Sequence, residues 1–426
     1  MSLREKWRGR ARHGLLENTI MLYILQFSTM ALGFFTQGFQ TRVLGMEKVG
    51  ALGAAAYATN FFQMFIDFGF ILSATAKISQ HREDRAYLSR VLTCVVAAKS
   101  LFMVLSFGVL LAFIAPSLTG EGELMVYVFY LLSVCMGSFL PDFMYRGLEQ
   151  MSAVTVRAVS IKIFATIMIF LFIREPADYY KVPLFTALGN GGALAFVYWH
   201  LFTRVKVGFT KVRPGEIWAE VKESSQFFLS KVAGSVNSSL NGVLLKAVAG
   251  DAVTGLYTNA DKVITVARSG MSPIADSLYP HMMKNRNFSI VKKALLFVYP
   301  VILAGCAVVF IFAEPLLVLW LGPEGRGVAP PLRMLMPVAV FCFPNYVLGY
   351  PTLGAMGLTK YANISVVFGT AVFLLGIAAA WLTHSIGLLA LCMLSSVTEF
   401  SILAFRVAVI LRNRKKFRAS PRQPEK

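Results

Sequence analysis

The sequence predicts an all-α polytopic membrane protein of about 12 transmembrane helices, and three observations predict it. Hydrophobic residues make up 56% of the chain against 15% charged, a balance foreign to soluble domains. Mean hydropathy is +0.63. Apolar runs recur almost from end to end, each close to the length a helix needs to cross a bilayer. They place helices at about 18–42, 49–76, 91–115, 124–146, 154–173, 183–203, 225–249, 252–274, 291–313, 329–350, 363–383 and 386–411. An even number of spans puts both termini on one side.

The formal charge of +19 is distributed unevenly. Of 41 Lys and Arg residues, 29 fall in segments on the side of the N-terminus and five (Arg42, Lys48, Arg174, Lys181 and Arg326) in the opposite loops. By the positive-inside rule both termini are cytoplasmic. Insertion and anionic headgroups account for the basicity, so nucleic acid is not needed as a partner. Seven bases remain at or near membrane depth: Lys99, Lys162, Lys231, Lys246, Lys262, Arg268 and Arg333. The basic start runs straight into a full-length span, so no cleaved signal peptide is expected. Cys94, Cys135, Cys306, Cys342 and Cys392 sit singly inside predicted helices and read as small core residues. The five histidines are scattered, and no metal site or cofactor is expected.

The first span carries a polar stripe, Gln26, Thr29, Gly33, Gln37 and Gln40, closed by Arg42. Such a seam faces a cavity or a partner helix. The second span presents Asn60, Gln63 and Asp67 on one face, and Lys99 in the third lies within snorkelling reach of the interface. Pro141 and Asp142 break the end of the fourth; Arg157 and Lys162 follow in the fifth, Lys162 about two turns further in. The sixth contains Gly189 to Gly192, suited to close packing or a bend. Pro214 then opens an amphipathic stretch, read as an interfacial helix held by Ile217, Trp218 and Val221.

The chain therefore divides into an N-terminal lobe (1–203), a cytoplasmic linker (204–224), a C-terminal lobe (225–411) and a basic tail (412–426). The seventh span repeats the first in character: Ser230, Gly234, Asn237 and Asn241 form a polar stripe, and Lys246 ends it as Arg42 ends the first. Gly45 and Gly50 correspond to Gly250 and Gly255 at one offset of 205. This pattern suggests a duplicated transporter with its site between the repeats.

The eighth span holds the most informative stretch, Gly255 to Pro280. Tyr257, Asp261, Thr265, Arg268 and Ser272 fall at steps of four, four, three and four, stacking a carboxylate and a guanidinium on one helix face. Charge at membrane depth is costly, so this face looks at a wet cavity or pairs with neighbouring helices. Pro337, Pro344 and Pro351 recur every seven residues in the tenth span and should kink it. Glu399 is the one carboxylate of the last span. The bases outnumber the intramembrane carboxylates Asp67, Asp142, Asp261 and Glu399, which favours an anionic cargo; any of the four could serve ion coupling. Gln37, Asn237, Asn241 and Tyr257 offer hydrogen bonds to hydroxyl groups of a cargo, and Lys162 a further positive charge.

Four stretches resemble a known family: DFGFILSATAK (67–77), YRGLE (145–149), YTNADK (257–262) and PIADSLYP (273–280). They resemble the polysaccharide flippases of bacterial surface-polysaccharide assembly, the O-antigen type, over roughly residues 18–410. The resemblance implies a fold like that of the multidrug and toxin extrusion (MATE) transporters and the lipid II flippases, with two six-helix lobes around a V-shaped, alternating cavity. It implies a bacterial inner-membrane location and an undecaprenyl-pyrophosphate-linked oligosaccharide as substrate. Polysaccharide polymerase and chain-length proteins are the implied partners, and anionic lipids meet the basic tail. The cationic cavity roles would fall on Arg42, Lys246, Lys262 and Arg268. Thr258 and Asn259 depart from the commoner small-residue form of the YTNADK motif.

Two other transporters stay open: a multidrug antiporter, expected to have a more acidic or aromatic cavity, and a lipid II flippase. A membrane enzyme fits poorly, because the longest outer segment, 313–329, offers no histidine and only Glu314, Glu324 and Arg326 as reactive groups.

Overall fold

The computed structural model describes residues 3–414 except 119, 121, 149, 286 and 287. Side chains are described outside 3–26, 151–153, 155, 226–227, 229–231, 233–238, 276, 280–281 and 284–285. Among the described residues there are helices and connecting turns and no strand. Twelve long helices carry the chain. They are α1 (residues 3–44), α2 (46–67, resumed as Phe70–Gln80), α3 (Arg85–Val109) and α4 (Glu123–Ser138, followed by the turn Asp142–Gly147). Next come α5 (Met151–Phe172), α6 (Lys181–His200), α7 (214–249) and α8 (251–285). The last are α9 (Phe288–Ile311), α10 (Ala329–Val347), α11 (Thr359–Leu382) and α12 (Leu388–Arg412).

Four local features differ from the sequence reading. No loop separates the first two spans: α1 and α2 meet at Gly45, where φ is 80° and ψ 166°. That region is open essentially to glycine alone, so one residue does the work of a turn. The stretch at Pro214 is helical, but it continues without a break as the start of α7. The outer segment 313–329 contains a short helix, Ala313–Leu321, and a 3₁₀ turn. In α10 the helix runs through Pro337 and Pro344 and loses helical geometry only at Gly349 (φ −68°, ψ −121°), just before Pro351.

The chain forms two compact units, residues 1–36 with 55–232 and residues 37–54 with 233–426. Lipid is as apolar as a leucine side chain, so close packing and satisfied polar groups hold each unit together more than burial does. In the first unit Phe70, Ile78, Leu88, Leu92 and Met144 are fully buried in one cluster. Here two of the resembling motifs touch. A Cβ on Gly147 would lie 3.2 Å from the Thr75 carbonyl oxygen and 2.4 Å from Cγ2 of Ile78, just past the first motif, and Thr75 Oγ1 donates to the Phe143 carbonyl at 3.3 Å, just before the second. The α2 tail also holds the start of α7: Lys77 Nζ lies 2.7 Å from both Glu220 and Glu223, and the Ser73 and Ser224 hydroxyls meet at 2.6 Å. In the second unit the core is built on Met282, Val291, Phe343, Val347 and Leu353.

The internal repeat is visible in the backbone. Gly45 and Gly250 share φ of +80°, and each joins two helices without a loop. A Cβ on Gly50 would stand 1.7 Å from the Asp251 carbonyl oxygen, and one on Gly255 would stand 2.1 Å from that of Met46. Met46 and Asp251 are separated by the same 205 positions as the two glycines, so the contact is reciprocal. Only residues without side chains permit this approach.

Candidate functional site

The polar face of α8 lines a cavity of about 730 Å³ within the second unit. Tyr257, Asp261, Ile264, Arg268, Ser272, Ala275 and Tyr279 follow one another at steps of four, three, four, four, three and four. Four of the five expected stripe residues are therefore in place. Thr265 is not: it is exposed, and Ile264 takes the inward position because a helix turns 3.6 residues, not four. The opposite walls come from α10 (Leu335, Val338, Cys342, Asn345, Tyr346) and α12 (Ser395, Thr398, Glu399, Ile402, Arg406).

A polar network fixes this lining. Arg268 Nη2 lies 2.6 Å from Glu399 Oε1, and Asn345 Nδ2 donates to Glu399 Oε2 at 2.9 Å. Arg268 Nε is buried without a hydrogen-bond partner among the described residues. Asn241 Nδ2 donates to the Tyr257 hydroxyl at 3.1 Å and to Ser395 Oγ at 2.8 Å, so the predicted sugar-binding pair is in part a packing joint. Tyr257 is 2% exposed.

Arg406, inside the last predicted span, is a cavity residue that the sequence reading did not single out; it is 7% exposed. Its Nε donates to Ser365 Oγ at 2.9 Å and its Nη1 to the Asn345 carbonyl. Gly349 makes room for it: a Cβ there would lie 2.8 Å from Nη1. The available signal was its spacing of seven from Glu399, which puts both on one helix face.

The cavity is charge-balanced. Arg268 and Arg406 face Asp261 and Glu399, and no lysine or histidine joins them in the lining. Within this pocket, therefore, bases do not outnumber carboxylates. Three further membrane-depth charges are paired: Lys99 Nζ lies 3.3 Å from Asp67 Oδ1, Lys246 Nζ 2.7 Å from Asp251 Oδ1, and Arg157 joins Asp142. Burial of a charge is tolerable when a partner stands beside it.

The other candidates are dispersed. Arg42 is exposed and donates from Nε to the Trp320 carbonyl at 3.0 Å and from Nη2 to that of Leu319. It thus covers carbonyls at the end of Ala313–Leu321, where a helix leaves acceptors unsatisfied and favours a cation. Gln37 Nε2 and Thr41 Oγ1 both donate to Asn259 Oδ1, at 3.2 and 3.0 Å, and Asn259 is fully buried. The asparagine that departs from the common motif is therefore a joint to α1. Lys262, next to Asp261, lies outside the cavity lining. Lys162 is half-buried on α5 with no hydrogen bond or ion pair among the described residues. One turn on, Thr166 meets the Thr36 hydroxyl at 3.2 Å. Arg333 donates to the Phe310 carbonyl. The side chains of Asn237 and Lys231 lie outside the described residues, as does most of the 412–426 tail. No cluster of metal-binding side chains occurs among the described residues, and all five cysteines are free thiols.

The helices of the described residues, eight of them long and apolar enough to cross a membrane, together with the relatives below, define a multi-pass membrane transporter rather than an enzyme. The chain belongs to the family described as "Polysaccharide biosynthesis protein", which matches residues 15–286. Two relatives bear the name "Putative O-antigen transporter". One, from Shigella dysenteriae, is 25% identical over 316 residues, covering 72% of this chain and 78% of the relative. The other, from Escherichia coli (strain K12), is 21% identical over 290 residues, covering 66% and 68%. Among solved structures the fold is similar to the lipid II flippase MurJ in an inward closed conformation (TM-score 0.76, 13% identity, 93% of this chain and 89% of that one). It is also similar to an inward-facing multidrug resistance transporter of the MATE family (TM-score 0.69, 17% identity, 92% and 98%).

Proposed function

We propose that this protein moves an undecaprenyl-pyrophosphate-linked oligosaccharide from the cytoplasmic to the outer leaflet by alternating access, during surface-polysaccharide synthesis. Family membership supports the polysaccharide pathway. The observation that carries the reading is the cavity itself, which sets two guanidinium groups among hydroxyl and amide groups in an otherwise apolar wall. A phosphate needs charge-assisted donors when it leaves water, and a sugar needs hydroxyl partners. Because the cavity is balanced, the cargo's charge is met by local donors, not by net charge. Arg406, which meets Ser365 and the Asn345 carbonyl, and Arg268, whose Nε has no partner among the described residues, supply them. Lys162 adds a cation on α5. Lys246, Lys262 and Arg42 stand second to these, the first already paired and the last turned to backbone carbonyls. Asp261 and Glu399 are the better placed candidates for ion coupling, since both line the cavity while Asp67 and Asp142 hold bases elsewhere. The termini are cytoplasmic, in a bacterial inner membrane, and polymerase and chain-length proteins act on the product outside.

A bacterial strain lacking its own flippase and supplied with the matching glycan pathway tests this. Expression of the wild-type chain restores surface polysaccharide and clears lipid-linked repeat units from the inner leaflet; continued accumulation would refute the assignment. One observation favours the multidrug antiporter: four tyrosines (Tyr257, Tyr279, Tyr346 and Tyr350) and two carboxylates line the cavity. Purified protein in proteoliposomes separates the two, because drug efflux without any effect of lipid-linked sugar supports only the antiporter.

A further inference from the structure

A second cavity, of about 590 Å³, lies in the first unit between α5 and α6, and nothing in the transport reading uses it. Its long wall is apolar: Val156, Phe164, Leu188 and Phe196 line it and are 61%, 38%, 55% and 61% exposed. Side chains of this kind, uncovered on a membrane helix, face hydrocarbon. Gly189 and Gly192 keep the groove deep, and at Gly192 a Cβ would meet nothing within 4 Å. The chain thus leaves an empty slot open to the bilayer's interior.

One end of the slot is polar. Arg157 lines it with a side chain only 9% exposed; Nη2 reaches Asp142, while Nε is buried with no hydrogen-bond partner among the described residues. Beside it the Tyr145 hydroxyl and His200 Nδ1 meet at 2.9 Å. Arg146 and Arg204, next along the chain from these two elements, are exposed, and Trp199, at the same end of α6, is 55% exposed and packs on Phe196. A tryptophan beside arginines marks the level of the headgroups. A buried guanidinium nitrogen without an acceptor carries an unmet desolvation cost, which an anionic oxygen would relieve.

We propose that this groove is a binding site for one acyl chain of an anionic phospholipid, its phosphate accepting from Arg157 Nε and its headgroup lying among Arg146, Arg204 and His200. The occupant is a resident membrane lipid and not the cargo, because the slot opens on the apolar outer face of α5 and α6 and shares no residue with the cavity lined by α8. Binding ties two helices of the first unit at one level of the bilayer and leaves the transport cavity untouched.

The test is photolabelling of the purified full-length protein in lipid nanodiscs, using phosphatidylglycerol or phosphatidylcholine carrying a diazirine in one acyl chain. Labelled peptides are mapped by mass spectrometry. The expected result is labelling at Phe164 and along Leu188–Phe196, several-fold stronger with phosphatidylglycerol. Gly192→Leu starts from a Cβ with open space around it, extends into the slot, and should abolish that labelling while the protein keeps its elution profile. Arg157→Gln together with Asp142→Asn removes the headgroup contact without stranding a buried charge, and should erase the preference for phosphatidylglycerol. Equal labelling by both lipids, labelling untouched by Gly192→Leu, or displacement of phosphatidylglycerol by an equimolar polyprenyl phosphate would each overturn the proposal. These readouts do not depend on transport, so they stand apart from the test of function.

Discussion

Arg268 and Glu399 show what a single residue pair can and cannot reveal. They stand 131 positions apart, and each alone reads as an intolerable charge in hydrocarbon; together they form a hydrogen-bonded pair completed by Asn345. Arg268→Ala leaves Glu399 uncompensated beside Asp261, so surface polysaccharide is expected to fall to background in the complementation assay while the protein still inserts. Arg268→Lys keeps the charge but loses the fork, and should retain part of the activity. Gly349→Ala tests Arg406 without touching it: the new methyl group displaces the guanidinium, and export should drop several-fold with unchanged expression. Wild-type export by Gly349→Ala would remove Arg406 from the cargo's path. Residue chemistry was legible here only in part. The α8 stripe could be read from its spacing, whereas Arg406 stands six residues from the helix's end, where a basic side chain also fits the cytoplasmic rim, and sequence position says nothing about which way it turns.

Elements carry the second level of constraint. Gly250 has φ of +80° and open space where a Cβ would go, so Gly250→Ala tests backbone strain alone. It should cost about 1–3 kcal/mol, read as a lower midpoint of thermal unfolding in detergent. Gly50→Ala adds a collision with the Asp251 carbonyl to an otherwise helical position. No rotamer relieves a backbone clash, so this variant should unfold at a lower temperature than Gly250→Ala, and the reverse order would deny that the reciprocal contact matters. The offset of 205 was visible in the sequence because glycine is the one residue whose absence of a side chain marks a backbone requirement. Helix boundaries were less legible. The α1–α2 loop and the separate interfacial helix both dissolved into continuous helices, since hydropathy reports where lipid begins and not where hydrogen bonding stops.

At the level of the whole molecule, the charge asymmetry of the loops predicts the orientation. Reporter fusions at either terminus should be active only if cytoplasmic reporters are used, such as a fluorescent protein; activity of an exported phosphatase at the C-terminus would reverse the assignment. The structural relatives share the fold at 13% and 17% identity, which fits a scaffold whose cargo is chosen by the lining of its cavities and not by its architecture.

The sequence by itself determined that this chain is an all-helical multi-pass membrane protein and displayed two glycine pairs at one offset, because hydrophobicity and glycine placement are local properties read along the chain. Only the tertiary structure decided which charges meet: Arg268 with Glu399, Lys99 with Asp67, Lys246 with Asp251. Pairing depends on which helices meet, and two side chains more than a hundred residues apart carry no mark of each other until the chain has folded.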